Sequence, residues 1–291
     1  MKTTATRELL LRPGRPADAT VCGRICHDAF AALAGRHAFP PDFPSREAAT
    51  ELLTPLLDRP DVYAAVAERD GRVVGSNFLW RHPPVAGIGP ITVDHEAQAG
   101  SVGRRLMEDA VARAEAEGFP AVRLVQAAYN CTSMSLYTKL GFQVREPLVC
   151  LNGPPIGLAL PGREVRPAAA ADLEACDALC VRVHGHDRGH ELRGAVEQGT
   201  ASVVVRDGRI TGYATAIAFF GHAVAETDED LCALIAAAPS IEGPGFLLPS
   251  RWSETFRWCL AHGLRIVQPM TLMTKGLYSE PRGAWLPSIL Y

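Results

Sequence analysis

Lysine is nearly absent from this 291-residue chain: Lys2, Lys139 and Lys275 stand alone among 29 basic residues, the rest being arginine. Against 32 acidic residues the net charge is −3, and a chain without a basic excess has no counterion-release drive toward nucleic acid. Long apolar runs are missing too. Ile156 to Leu160 and Ala233 to Ala238 fall far below the roughly 20 residues that span a bilayer, and the start MKTTATREL has no apolar signal core. A cytoplasmic protein with neither membrane nor nucleic-acid partner is the expectation. The eight cysteines form no CxxC pair and no metal-type cluster, so they read as reduced, small core residues, and no metal site is expected. The stretch HGHDRGH, with His184, His186 and His190, reads as a polar loop.

What is present is apolar material for a core: 47% hydrophobic against 21% charged residues, which excludes an intrinsically disordered chain. The length suits two domains, and the sequence repeats itself. Residues 11–26 (LRPGRPADATVCGRIC) match 165–180 (VRPAAAADLEACDALC) without a gap, 64–75 match 201–212 around RDGR, and GFQVREP (141–147) matches GLRIVQP (263–269). Three islands in one order at offsets of 154, 137 and 122 indicate a duplicated domain whose second copy has been shortened. LNGPPIGLALPG (151–162), rich in Gly and Pro, is the expected linker. It divides a first domain, 1–155, from a second, 162–291.

Within the first copy the apolar periodicity predicts β, α, α, β, β, β, α, β, α, β. Pro16 and Asp18 open the first helix, and a second covers about Arg46 to Leu57. Asp70-Gly71 joins a hairpin. GIGPITV (87–93) is a strand, Gly100 to Glu117 an amphipathic helix, AVRLVQAA (121–128) a strand, Thr132 to Leu140 a helix and 142–151 the closing strand. The class is α+β with a mixed sheet.

Gln98-Ala99-Gly100-Ser101-Val102-Gly103 lies between a strand end and a helix start. Backbone amides converge in such a turn and the helix adds partial positive charge, so it suits a diphosphate; an ordinary glycine-containing connection has the same composition. Downstream, Asn130, Ser133, Tyr137, Gly141 and Phe142 recur at helical spacing, with Ser133 and Tyr137 on one face. Together with the strand order, these motifs over roughly residues 7–151 resemble the GNAT superfamily of acetyl-CoA-dependent N-acetyltransferases. Gln98 and Gly103 fit that family's diphosphate motif, while Ser101 stands where an inner glycine is usual. The resemblance implies two tandem GNAT folds and acetyl-CoA as cosubstrate. It implies that Ile91 and Val93 offer strand-edge backbone to the pantetheine arm and that Gln98, Ala99, Gly100, Ser101, Val102, Gly103 and Arg104 hold the diphosphate. Asn130 would bond the cofactor arm or nearby backbone, Ser133 would line the wall, and Tyr137 would protonate the departing thiolate. A phenol can serve a thiolate of comparable basicity; the alternative for Tyr137 is packing beneath Phe142.

No general base stands out. The strand 85–93 has no carboxylate, and Asp94, His95 and His82 read as solvated turn residues that can act only through water. In the second copy the corresponding turn, VAETDEDLCAL, places Glu226, Asp228, Glu229 and Asp230 where a diphosphate would sit, and Cys259 replaces Tyr137. Asp228 to Asp230 read as a helix cap and an acidic first turn. Trp252, Trp258, Trp285, Met270 and Met273 read as core, and Tyr291 ends an apolar segment. The first copy is therefore expected to acetylate a primary amine of a small molecule, as monomer or homodimer, the second being degenerate with a substrate-pocket or structural role. The near balance of residues 1–155, with 17 basic and 17 acidic residues, favours no strongly charged acceptor. A non-catalytic acyl-CoA-binding sensor is the alternative.

Overall fold

A computed structural model describes residues 9–290, and for 98–100 the backbone alone. The chain divides into two units, one of residues up to 124 with 130–143, the other of 125–129 with everything from 144 onward.

The first unit opens with β1 (Leu9–Pro13), a 3-10 turn over Pro16–Asp18, α1 (Ala19–Arg36), α2 (Arg46–Leu56), β2 (Val62–Arg69) and β3 (Arg72–Trp80). β2 and β3 meet at Asp70 and Gly71, with φ of 53° and 73°, the left-handed pair that a two-residue hairpin with native twist demands. Next come β4 (Val85–Ile88) and β5 (Thr92–Val93). The single strand expected over 87–93 is thus two pieces. Leu79 pairs with Ile88, and Ser76 with Thr92, so three steps along β3 face four along its neighbour. That extra residue is a bulge, and it falls at Pro90, which has no N–H for the ladder. α3 (Val102–Ala116), the strand β6 (Ala121–Ala127) and α4 (Cys131–Lys139) follow. The strand order is β1-β2-β3-β4-β6, with β5 on β3. Val102 and Leu106 of α3 pack on Ala65 and Ala67 of β2, as the helix periodicity requires.

β4 and β6 run parallel from Val85↔Ala121 only to Gly87↔Arg123. Past that point β5 follows β3 instead, and its outer edge has no strand neighbour among the described residues. The divergence opens a groove beside Ile91 and Val93.

The second unit contains β7 (Gln143–Asn152, from Val144 on), β8 (Glu164–Pro167), a 3-10 turn over Ala170–Asp172, α5 (Leu173–His184), α6 (Gly189–Glu197), β9 (Ser202–Arg206), β10 (Arg209–Ala214), β11 (Ala223–Ala225), α7 (Asp228–Ala237), β12 (Phe246–Pro249), α8 (Ser253–Ala261), β13 (Arg265–Gly276) and β14 (Ala284–Leu286). From β8 to β13 the order of elements reproduces that of β1 to β7, with the single β11 in the place of β4, β5 and the 3-10 turn that follows them. The likeness extends to hydrogen bonds. Arg12 clamps Asp18 at 2.7 and 2.8 Å while Asp18 accepts from the Arg15 amide at 2.8 Å. Arg166, Asp172 and Ala169 repeat all three distances. Asp207 and Gly208 repeat the hairpin angles at 52° and 74°.

The division does not follow the expected break at 151–162. β13 lies between the end of β6 and β7, and β7 pairs with β12, so the first copy's closing strand is held by C-terminal neighbours and counts with them. Ile156 and Leu160 of the expected linker pack on the second unit's core. His184 ends α5 buried and His190 lies in the first turn of α6, so HGHDRGH is two helix ends with a short join rather than one loop. Trp285, Met270 and Met273 are buried, and Trp252 and Trp258 pack against the core. All eight cysteines are free, seven of them buried, with Cys131 exposed at the start of α4. The carboxylate of Tyr291 lies outside the described residues, and no described helix is long and apolar enough to cross a membrane.

Candidate active site

α3 begins at Ser101, which adopts left-handed angles (φ 59°, ψ 9°) and makes no side-chain cap. The first turn carries no acidic residue, and the first amides of any α-helix have no partner within it. Small size at Ser101 and Gly103 keeps this positive end open. A Cβ on Gly103 would meet only Val93 and Leu136, at 3.7 and 3.8 Å, so the glycine leaves room rather than relieving a clash. The preceding 3-10 turn, His95–Gly100, includes Gln98, Ala99 and Gly100, whose side chains lie outside the described residues.

In front of this turn is a groove of about 370 Å³. Ile91 and Val93 form one wall, and Ser101, Gly103 and Arg104 one end. Asn130, Ser133 and Tyr137 of the α4 region form the facing wall. Eight of the residues singled out in the sequence thus converge. Val102 does not: its side chain is fully buried in the core, which leaves only its amide to serve a ligand.

Asn130 caps α4, its Oδ1 accepting the Ser133 N–H at 3.2 Å, so it bonds nearby backbone, one of the two roles expected of it. Tyr137 is 5% exposed. Burial pushes its phenol up to about 12, with a hydrogen bond from Ser133 pulling the other way. Its ring lies 6.2 Å from that of Phe142, the packing named as one alternative for it, and it also lines the groove. A hydroxyl that keeps its proton at any physiological pH can donate it only to a strong base formed beside it.

The candidate bases are committed elsewhere. Asp94 accepts the Glu96 amide at 3.1 Å and Arg24 at 3.3 Å, and His82 Nε2 lies 2.9 Å from Asp61 Oδ2. Neither they nor the exposed His95 line the groove. Among the described lining residues no carboxylate or imidazole is present.

Sequence reasoning passed over a third wall, in which Phe30, Leu33 and Arg36 of α1 face the groove. It also missed Thr92, a lining residue 4% exposed whose buried Oγ1 has no hydrogen-bond partner among the described residues. A buried hydroxyl without a partner costs free energy unless something bonds it. The start of α3, two arginines and an open strand edge suit a ligand with phosphates at one end and an amide-bearing arm.

Residues 32–142 match the model of the acetyltransferase (GNAT) family. The IAA acetyltransferase of Azospirillum brasilense is 34% identical over 105 residues, covering 35% of this chain and 68% of that protein. The chain belongs to the GNAT acetyltransferase family. The cosubstrate of GNAT acetyltransferases is acetyl-CoA, and the groove has the groups to hold it. The mycothiol acetyltransferase of Thermomonospora curvata is 34% identical over 91 residues, 31% of each chain, so less than a third of that relative is spanned. Two solved structures share the fold over nearly the whole length: a GCN5-related N-acetyltransferase from Sphaerobacter thermophilus (TM-score 0.61, 13% identity, 94% of this chain and 96% of that one) and a Pyrococcus horikoshii protein assigned as an acetyltransferase (TM-score 0.72, 15% identity, 97% and 94%).

The second copy of the helix start is different. Thr227, not Asp228, is its cap, accepting the Asp230 N–H at 3.2 Å. Glu226 is held below its ordinary range chiefly by Arg209, and buried Asp230 pairs with Arg163 and Arg206 at 3.0 and 3.1 Å. Cys259, at the place of Tyr137, is buried, and burial pushes its thiol up to about 12.

Proposed function

We propose that the first copy, residues 1–155, transfers acetyl from acetyl-CoA to a primary amine of a small molecule in the cytoplasm, and that residues 162–291 are a degenerate copy with a structural or substrate-shaping role. The observation that carries this reading is the convergence of Ser101, Gly103 and Arg104 with Tyr137 on one groove. The neutral amine attacks the thioester carbonyl, a C–N bond forms, and the C–S bond breaks. The helix-start amides and Arg104 bind the diphosphate, Ile91 and Val93 orient the arm, and Tyr137 passes its proton to the departing sulfur. The attacking nitrogen loses its proton to water or to a group outside the groove lining. A relative named for mycothiol favours a small-molecule acceptor.

A second reading, a sensor that binds acyl-CoA without turnover, draws on the left-handed Ser101 and the lack of a lining base. One assay separates the two: release of the coenzyme thiol in the presence of a panel of primary amines. Amine-dependent release is expected. Acetyl-CoA at 100 times its dissociation constant should also stabilise the fold by about 2.7 kcal/mol. Stabilisation without release against any amine would favour the sensor, and no stabilisation would overturn both readings.

A further inference from the structure

Arg36 is exposed in the last turn of α1 and lines the groove. Most arginines of the first unit face a carboxylate: Arg12 takes Asp18 and Glu68, Arg24 takes Asp94, Arg46 takes Asp28 and Arg59 takes Asp61. Arg104 has Glu108 at 3.6 Å. Arg36 makes no ion pair among the described residues, yet it lines the groove with Arg104, and these two are the only charged groups among the described lining residues. A cation in the last turn of a helix interacts favourably with the helix dipole, which accounts for an arginine at this turn but not for one at the groove. Its place is fixed by the end of α1, where Ala38 turns left-handed (φ 58°) and the Phe39 N–H donates to the Ala34 carbonyl at 3.0 Å, a helix-closing motif.

Coenzyme A carries two separate anionic groups, the diphosphate and a phosphate monoester on the 3′-oxygen of its ribose. The amides at Ser101 to Arg104 account for the diphosphate and leave the monoester without a partner. We propose that Arg36 binds that 3′-phosphate and so selects coenzyme A over its dephospho form. The assignment rests on the coenzyme reading of the groove, and it adds a phosphate ligand contributed by α1 to the same groove that the start of α3 lines. A guanidinium with no carboxylate of its own gives up no ion pair when it engages a phosphate oxygen in the bidentate manner.

Calorimetric titration of coenzyme A and of dephospho-coenzyme A into the full chain tests this. The unaltered protein should prefer coenzyme A by about tenfold, equivalent to about 1.4 kcal/mol, and the preference should shrink as salt screens the contact. Arg36→Ala should weaken coenzyme A about tenfold and leave dephospho-coenzyme A unchanged, while Arg36→Lys keeps part of the preference. Arg36→Gln gives the same ratio if the alanine variant folds poorly, since the ratio is measured within one preparation. Equal affinity of the unaltered protein for both ligands overturns the assignment but not the groove. So does a variant that weakens both ligands alike or neither. If the unaltered protein binds neither ligand, the coenzyme reading itself falls.

Discussion

The two copies place a strand end, a turn and a helix start in the same order and finish the helix start in opposite ways. In the second, Thr227 caps the helix, Asp228, Glu229 and Asp230 fill its first turn, and Arg163 and Arg206 neutralise the buried Asp230. That helix terminus carries its own cap and its own negative charge. In the first, Ser101 makes no side-chain cap, no acid occupies the first turn, and a groove lies in front. A helix start that omits its own cap retains positive potential for a ligand. The comparison teaches that the two helix starts differ in how far their own chain caps and charges them.

The most damaging way to break the contrast is to give the first copy the chemistry of the second. Gly103→Asp should reduce acetyl-CoA affinity roughly a thousandfold, because two unit charges about 4 Å apart at a protein surface interact by about 4 kcal/mol. Gly103→Ala is the control for the added charge: a Cβ there makes only ordinary contacts within the protein, so titration should show a far smaller loss, limited to the room the methyl takes from the ligand. If the aspartate variant binds as the parent does, the amides of α3 are not the anion site.

Tyr137 against Cys259 is the second contrast. Tyr137→Phe should lower kcat about a hundredfold with little change in KM for acetyl-CoA, the pattern of a group that acts in the transition state. The pH dependence follows from the direction of its shift. Burial raises the phenol to about 12, the active form is protonated, and activity from this group is lost only as pH rises through that value. The rate should therefore show no fall due to Tyr137 below about pH 10, and an alkaline limb near pH 9 that vanishes in Tyr137→Phe would contradict the assignment.

Much of this is legible in the sequence, and the failures share a cause. Helix and strand periodicities specify the order of elements, and the repeated Arg-Pro and Asp-Gly islands mark equivalent turns, because each is a local signal. Ser101, Gly103, Asn130 and Tyr137 stand out because turn chemistry and helical spacing are local as well, whereas Ile91 stands out only through the family resemblance. GIGPITV reads as one strand because its alternation is continuous; the bulge at Pro90 becomes visible only against β3. Phe30 and Leu33 carry the same helical spacing as core residues, and nothing in a single helix says which apolar residue faces a groove. The place of β13 beside β7 is set by pairing across more than a hundred residues, which no local pattern encodes, and that moves the boundary between units.

A third contrast concerns stability. Arg12 is held by Asp18 and Glu68, whereas Arg166 has Asp172, and Val205 stands where the repeat would place Glu68. Arg12→Ala leaves two carboxylates without their counter-charge and should cost about 2 kcal/mol, against about 1 kcal/mol for the more exposed Arg166→Ala. Denaturant melts of the two variants check the order. Asp18 and Asp172 are both held below the usual carboxylate range, chiefly by their arginines. Their contribution is therefore present above the unfolded-state value near 4 and fades as pH falls through the lower folded values, so the gap between parent and variants should close in acid.

The smallest effect sharpens the comparison at the helix start itself. Ser101 holds left-handed angles that favour glycine, a conformation that costs an ordinary residue roughly 1 kcal/mol. Ser101→Gly removes that cost but also loosens the unfolded chain, which offsets part of the benefit, so the melt should shift upward by no more than about 1 kcal/mol. Binding should tighten two- to threefold, since glycine keeps the amide and lets the diphosphate approach more closely. Were Ser101→Gly to weaken acetyl-CoA binding instead, the serine hydroxyl itself would be a ligand of the phosphate, and the departure from the family pattern at this position would strengthen the anion site instead of loosening it.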